Sequence, residues 1–169
     1  WVAVVLVSVI VHELGHAVAM RLSGVSARIV LHGMGGLTIP AAAIASRPKR
    51  IVVDLAGPVA ALVLLGVPGA WLARTLDDPG PLVEIALLSM VWVNVAWSLV
   101  NLLPILPLDG GNVTKELLDV ATDGHGEVPA RVVSIVVAGA AGLYALRSGF
   151  AFAGMFAVFF LAMNWRALS

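Results

Sequence analysis

The chain contains no cysteine. Disulfides and thiolate metal sites are therefore excluded, and any metal must be held by His, Asp or Glu. Charge is almost as scarce. Asp, Glu, Lys and Arg make up only 12% of the residues, ten basic against ten acidic, about half the share found in an ordinary soluble domain. The net charge of zero suggests no nucleic-acid partner. Internal repeats and low-complexity segments are also lacking.

What is present is apolar. Hydrophobic residues account for 60% of the 169, and the mean hydropathy is +1.02. That excess is too large for one buried core of this size and implies an α-helical polytopic membrane protein with the lipid bilayer as its solvent. A spanning helix needs roughly 20 mostly apolar residues. Five stretches fit or nearly fit: 1–22, 51–76, 82–103, 129–146 and the short 150–165. About five transmembrane helices are therefore expected. Between the first two, residues 25–40 have a different texture. Two short strand-like runs flank Gly33, Met34, Gly35 and Gly36, which predicts a membrane-associated β-hairpin. Residues 121–127 read as a polar loop. The chemistry-bearing core is expected over 1–112, with a cytoplasmic loop and two further spans over 113–169. The run at Trp1 has no basic start and carries ionisable residues at its centre, so it does not read as a cleaved signal peptide. Without an initiator Met, residues upstream are expected to be missing, a preceding membrane segment among them.

Basic residues predict the orientation. If the first span ends in the cytoplasm, then Arg21, Arg28, Arg47, Lys49, Arg50, Lys115, Arg131 and Arg166 lie on that side. Only Arg74 and Arg147 lie outside, eight against two.

The first span contains His12-Glu13-Leu14-Gly15-His16, an HExxH motif. On a helix, positions i and i+4 lie about 40° apart, one turn up, so His12 and His16 can bind one Zn²⁺ from one face. Glu13 flanks that face and can take a proton from water at the metal. A charged group at the centre of a membrane helix costs roughly 2.5 kcal/mol or more, which a metal and a wet cavity offset and simple packing does not. A catalytic zinc needs a third protein ligand, and the best candidate is Asp109. It follows Pro104 and Pro107, which break a helix, and precedes Gly110 and Gly111, which let the backbone turn. Asp54 is the competitor, but Arg50 one turn earlier offers it a local pair. Asn94, Ser98 and Asn101 form a polar stripe on the third span, suited for the first two to hydrogen bonds between helices. Ser8 is expected to bond within its own helix. His32 beside the glycine turn reads as an interfacial hydrogen bonder, and His125 as a loop residue.

The two motifs together resemble the site-2 protease family of intramembrane zinc metallopeptidases. In that family an HExxH helix is followed two segments later by Asn-x-x-Pro-x-x-x-Leu-Asp-Gly. Here the motifs read HELGH and NLLPILPLDGG, in that order, and the resemblance covers residues 2–112. It implies His12, His16 and Asp109 as ligands of one zinc ion, Glu13 as catalytic base, and Asn101 in contact with the substrate backbone or the developing oxyanion. Gly57-Pro58 matches a third family element, though Ala61 stands where Asn is common and Asn112 where a basic residue often follows the glycines. The implied activity is endopeptidase cleavage of a membrane-spanning, regulatory protein substrate, at a bacterial plasma membrane; the charge split places the active site toward the cytoplasm. The hairpin offers an edge strand for an unwound substrate, with Gly35 and Gly36 as candidate substrate-binding positions. Two rival readings are a catalytically inactive relative that binds transmembrane helices and a membrane metal transporter.

Overall fold

The computed structural model describes residues 1–33 and 35–169; Met34, in the expected hairpin turn, lies outside the described residues. The chain forms two compact units, Trp1–Asn101 and Leu102–Ser169.

The first unit opens with helix α1 (Val2–Leu22), whose 21 residues cover about 31 Å, the thickness of a bilayer core. Strands β1 (Ala27–His32) and β2 (Gly35–Pro40) follow as an antiparallel pair in the register Ala27 to Pro40 through His32 to Gly35. The predicted hairpin is thus present. A long helical stretch comes next: α2 (Arg47–Ala61), a π-helical turn (Leu62–Gly66) and α3 (Val67–Thr75). Together they form a 29-residue candidate span. The widened turn ends two residues before Pro68. A proline ring collides with the carbonyl four residues earlier in a regular α-helix, and widening the turn relieves that collision. Helix α4 (Pro81–Asn101) closes the unit.

Small and polar residues bring these helices together. A Cβ at Gly15 would lie 2.8 Å from the Ala60 Cβ, so α1 and α2 approach closely because position 15 has no side chain. Asn94 of α4 donates to the Ser8 hydroxyl of α1 at 3.0 Å, and Ser98 donates to the Pro58 carbonyl of α2 at 3.2 Å. Both are fully buried, as a membrane interior requires of polar groups that pair across helices. The Ser8 hydroxyl donates back to Val4 of its own helix. At the Arg21 end of α1, Ala19, Met20, Ile44 and Val53 form a small apolar core.

The second unit begins with an irregular stretch, 102–108, and continues into α5 (Asp109–Ala121), α6 (Glu127–Arg147) and α7 (Ala151–Arg166). Helix α5 was not anticipated. It is short and polar, and a search for apolar runs of membrane length passes over it. Helices α6 and α7 pack through small side chains. Ala130, Ser134, Ala138, Gly142 and Ala145 line one face of α6, and a Cβ at Gly142 would come within 3.1 Å of Ala157. Among the described residues, four helices can cross a membrane by length and composition: α1, the 47–75 stretch, α4 and α6. Helix α7 is apolar but shorter, 16 residues or about 24 Å.

Candidate active site

His12, Glu13 and His16 share one turn of α1 and are all buried. The Nε2 atoms of His12 and His16 face one another at 3.1 Å, their rings nearly perpendicular. A tetrahedral zinc with Zn–N bonds of about 2.0–2.1 Å holds two ligand nitrogens about 3.3 Å apart. The two imidazoles therefore already stand at the separation such an ion requires. The orientation of His16 has an identifiable cause. Its Nδ1 lies 2.7 Å from the carbonyl of Val53 on α2, an oxygen that can only accept. Nδ1 must carry the proton, which leaves the Nε2 lone pair turned toward His12 Nε2. Room for the ring comes from Gly57, where any Cβ would run into His16 Nε2. The Gly-Pro pair thus does more than kink the helix, because Gly57 gives the imidazole its place.

Glu13 is held from the hairpin. Thr38 of β2 donates its hydroxyl to Glu13 Oε2 at 2.6 Å, with the Glu13 backbone carbonyl 3.1 Å away as a second acceptor. Strand side chains alternate, so positions 36 and 38 share a face. Gly36 accordingly lies against the Glu13 side chain, where a Cβ would collide with its Cγ. Gly35, with φ of +140°, takes a backbone conformation open to glycine. The hairpin therefore lies along the HExxH turn of α1, with Thr38 fixing one carboxylate oxygen and Gly36 leaving space for the other.

Asp109 belongs to the second unit, as the first residue of α5, after the backbone broken by Pro104 and Pro107. Asn101 ends α4, and its amide donates to the Trp97 carbonyl at 3.0 Å within the same helix. His32 is exposed at the end of β1, and His125 is exposed with Nδ1 3.1 Å from the Thr122 carbonyl. Sequence reasoning missed Thr38 and the Val53 carbonyl. A lone hydroxyl between Leu37 and Ile39 was a signal for the first. No side-chain pattern could have revealed the second.

An HExxH turn buried among apolar helices, with its glutamate held by a hairpin strand, defines the class: a membrane-embedded peptidase fold. Comparison with known proteins makes this specific. The model of the M50B-like peptidases matches residues 1–108, and that of peptidase family M50 matches residues 81–146. The chain belongs to the M50B-like peptidase family. A Synechocystis sp. protein provisionally named zinc metalloprotease sll0528 is 39% identical over 113 residues, covering 66% of this chain and 29% of that protein. A Mycobacterium tuberculosis protein provisionally named zinc metalloprotease Rip3 is 36% identical over 143 residues, covering 78% of this chain and 36% of its own length. The chain thus spans about a third of the length of these relatives. The site-2 protease from Methanocaldococcus jannaschii shares the fold, with a TM-score of 0.69 and 22% identity, over 97% of this chain and 75% of that one.

Proposed function

We propose that this chain is the catalytic part of a zinc-dependent endopeptidase that cuts a membrane-spanning segment of another protein within the bilayer. The observation that carries the reading is the pair of buried imidazoles whose Nε2 atoms converge to 3.1 Å, with Glu13 on the same turn. His12, His16 and Asp109 hold a single ion in this reading. Asp109 supplies the carboxylate that two histidines from one helix leave wanting. Zinc, when bound, supplies Lewis acidity that acidifies water and polarises a carbonyl. Glu13 acts as the base. With Oε2 held by Thr38, its Oε1 takes the proton from water and returns it to the leaving amine.

A helical substrate hides its peptide bonds, so the cleaved segment must unwind. An edge of the β1–β2 sheet binds the unwound stretch by strand addition, with Gly35 and Gly36 allowing close backbone approach. Asn101 donates its amide to the substrate backbone or the oxyanion. The charge asymmetry of the loops orients the site toward the cytoplasm of a bacterial plasma membrane, and a membrane-tethered regulatory protein is the substrate class the family suggests.

The test uses purified protein reconstituted with a model transmembrane peptide. One zinc per chain is expected, with cleavage abolished by a chelator and restored by added zinc. Full cleavage by metal-stripped protein would overturn the reading.

A further inference from the structure

The last two helices carry no motif of the site, yet they hold the segment that leads to Asp109. Leu106 lies in the irregular stretch before α5 and is buried. Its backbone N–H donates to the Ser134 hydroxyl of α6 at 2.9 Å. Its carbonyl accepts from the Asn164 amide of α7 at 2.7 Å. Both polar groups of one loop residue are thus taken by two side chains from two different helices. Ser134 and Asn164 are themselves completely buried.

Each of these side chains is locked in turn. The Ser134 hydroxyl proton goes to the Ala130 carbonyl at 2.8 Å, which turns a lone pair toward Leu106. The second Asn164 amide proton goes to the Phe160 carbonyl at 2.9 Å. A hydroxyl has one proton and an amide nitrogen two, so no donor capacity is left over. Leu106 cannot shift along either helix without breaking a buried hydrogen bond.

This restraint passes to Asp109 through very little chain. Leu108 N–H donates to the Ile105 carbonyl at 2.8 Å and closes the intervening turn. On the far side of Asp109, a Cβ at Gly110 would strike the Leu102 backbone, and one at Gly111 the Ile105–Leu106 backbone. The first turn of α5 therefore rests directly on the clamped stretch with no side chain between. The backbone of Asp109 is fixed from both directions.

We propose that Ser134 and Asn164 are positioning residues for a metal ligand: by clamping Leu106 they set the place of the Asp109 carboxylate. This rests on Asp109 as the third ligand, as proposed above. Groups that orient a ligand typically change metal affinity by about 10–100-fold when removed.

Metal-stripped full chain in detergent is titrated with Co²⁺, reading the dissociation constant and the visible ligand-field spectrum, with helical circular dichroism and thermal unfolding of the metal-free form alongside. Asn164→Leu removes the donor at similar volume, and Ser134→Ala removes the acceptor. Each is expected to weaken Co²⁺ binding by about 10–100-fold and to alter the spectrum. Gly142→Val, which disturbs the α6–α7 contact away from Leu106, is expected to lower thermal stability and leave affinity and spectrum unchanged. Asp109→Ala separates the two levels. Wild-type Co²⁺ affinity in Asp109→Ala sinks the ligand assignment and the clamp with it. Weakened binding in Asp109→Ala, with wild-type affinity and spectrum in the clamp variants, overturns the clamp alone. Should Asn164→Leu fail to fold, Ser134→Ala decides the matter by the same criteria.

Discussion

Glu13 sits one residue from the first histidine and is buried, and its carboxylate is gripped at one oxygen by Thr38. Removing the acid while keeping the shape isolates its role. Glu13→Gln leaves both imidazoles in place, so zinc content should match the parent while cleavage falls by about 10²–10⁴-fold, the range for loss of a general base. Near-normal turnover by a folded Glu13→Gln protein would show that another group moves the proton. Thr38 tests the same carboxylate from outside. A hydrogen bond to a charged group contributes about 1.5–3 kcal/mol, or about 10–100-fold in rate if it is realised at the transition state. Thr38→Val should lower kcat by that order with metal content unchanged. Thr38→Ser restores the hydroxyl and should recover most of the rate. Equal rates in the valine and serine variants would reduce Thr38 to a packing residue.

At the scale of elements, α1 meets α2 through glycine. Gly15 faces the Ala56 carbonyl and the Ala60 Cβ, while Gly57 faces His16 from the other helix. The same closeness that packs the two helices brings the Val53 carbonyl to His16 Nδ1. A methyl group at position 15 forces the helices apart. Gly15→Ala should therefore lose about 1–3 kcal/mol of stability, and the His16–Val53 bond should lengthen with it. Thermal unfolding in detergent together with zinc content reads both. Unchanged melting with full zinc would mean that α1 and α2 yield at no cost. The hairpin was legible as a hairpin because glycines separate two apolar runs. That Thr38 rather than a neighbouring residue reaches Glu13 follows from strand alternation once the register is known.

For the whole molecule, ligand choice and membrane orientation are the open tests. Asp109→Ala should lower zinc occupancy and abolish cleavage while the protein still inserts. Asp54→Ala should leave both largely intact. Metal analysis of the two purified variants distinguishes them, and loss of zinc in Asp54→Ala would mean that the third ligand has been misassigned. The proposed orientation rests on the eight-to-two division of basic residues. This cysteine-free chain allows single cysteines to report it. Asp77→Cys, between α3 and α4, should label from outside intact cells. His125→Cys, exposed between α5 and α6, should label only after permeabilisation. The reverse pattern would invert the topology.

Composition and motif order by themselves determined the class. An apolar excess this large has no other solvent than lipid, and HELGH followed by NLLPILPLDGG leaves few chemistries open. The helix period alone placed His12 and His16 on one face. The tertiary structure decided how the side chains of that turn are held. The His16 tautomer depends on a backbone carbonyl 37 positions away, and the place of Glu13 on a hydroxyl 25 positions away. Leu106 is held by residues 28 and 58 positions further on. Such partners are brought together by helix packing, and a polar side chain bonded to a distant backbone group leaves no periodic trace in sequence. Helix α5 escaped for a related reason: its 13 residues are too short and polar to read as a span, and glycines that look like a turn in sequence are there because its first turn lies against the preceding backbone.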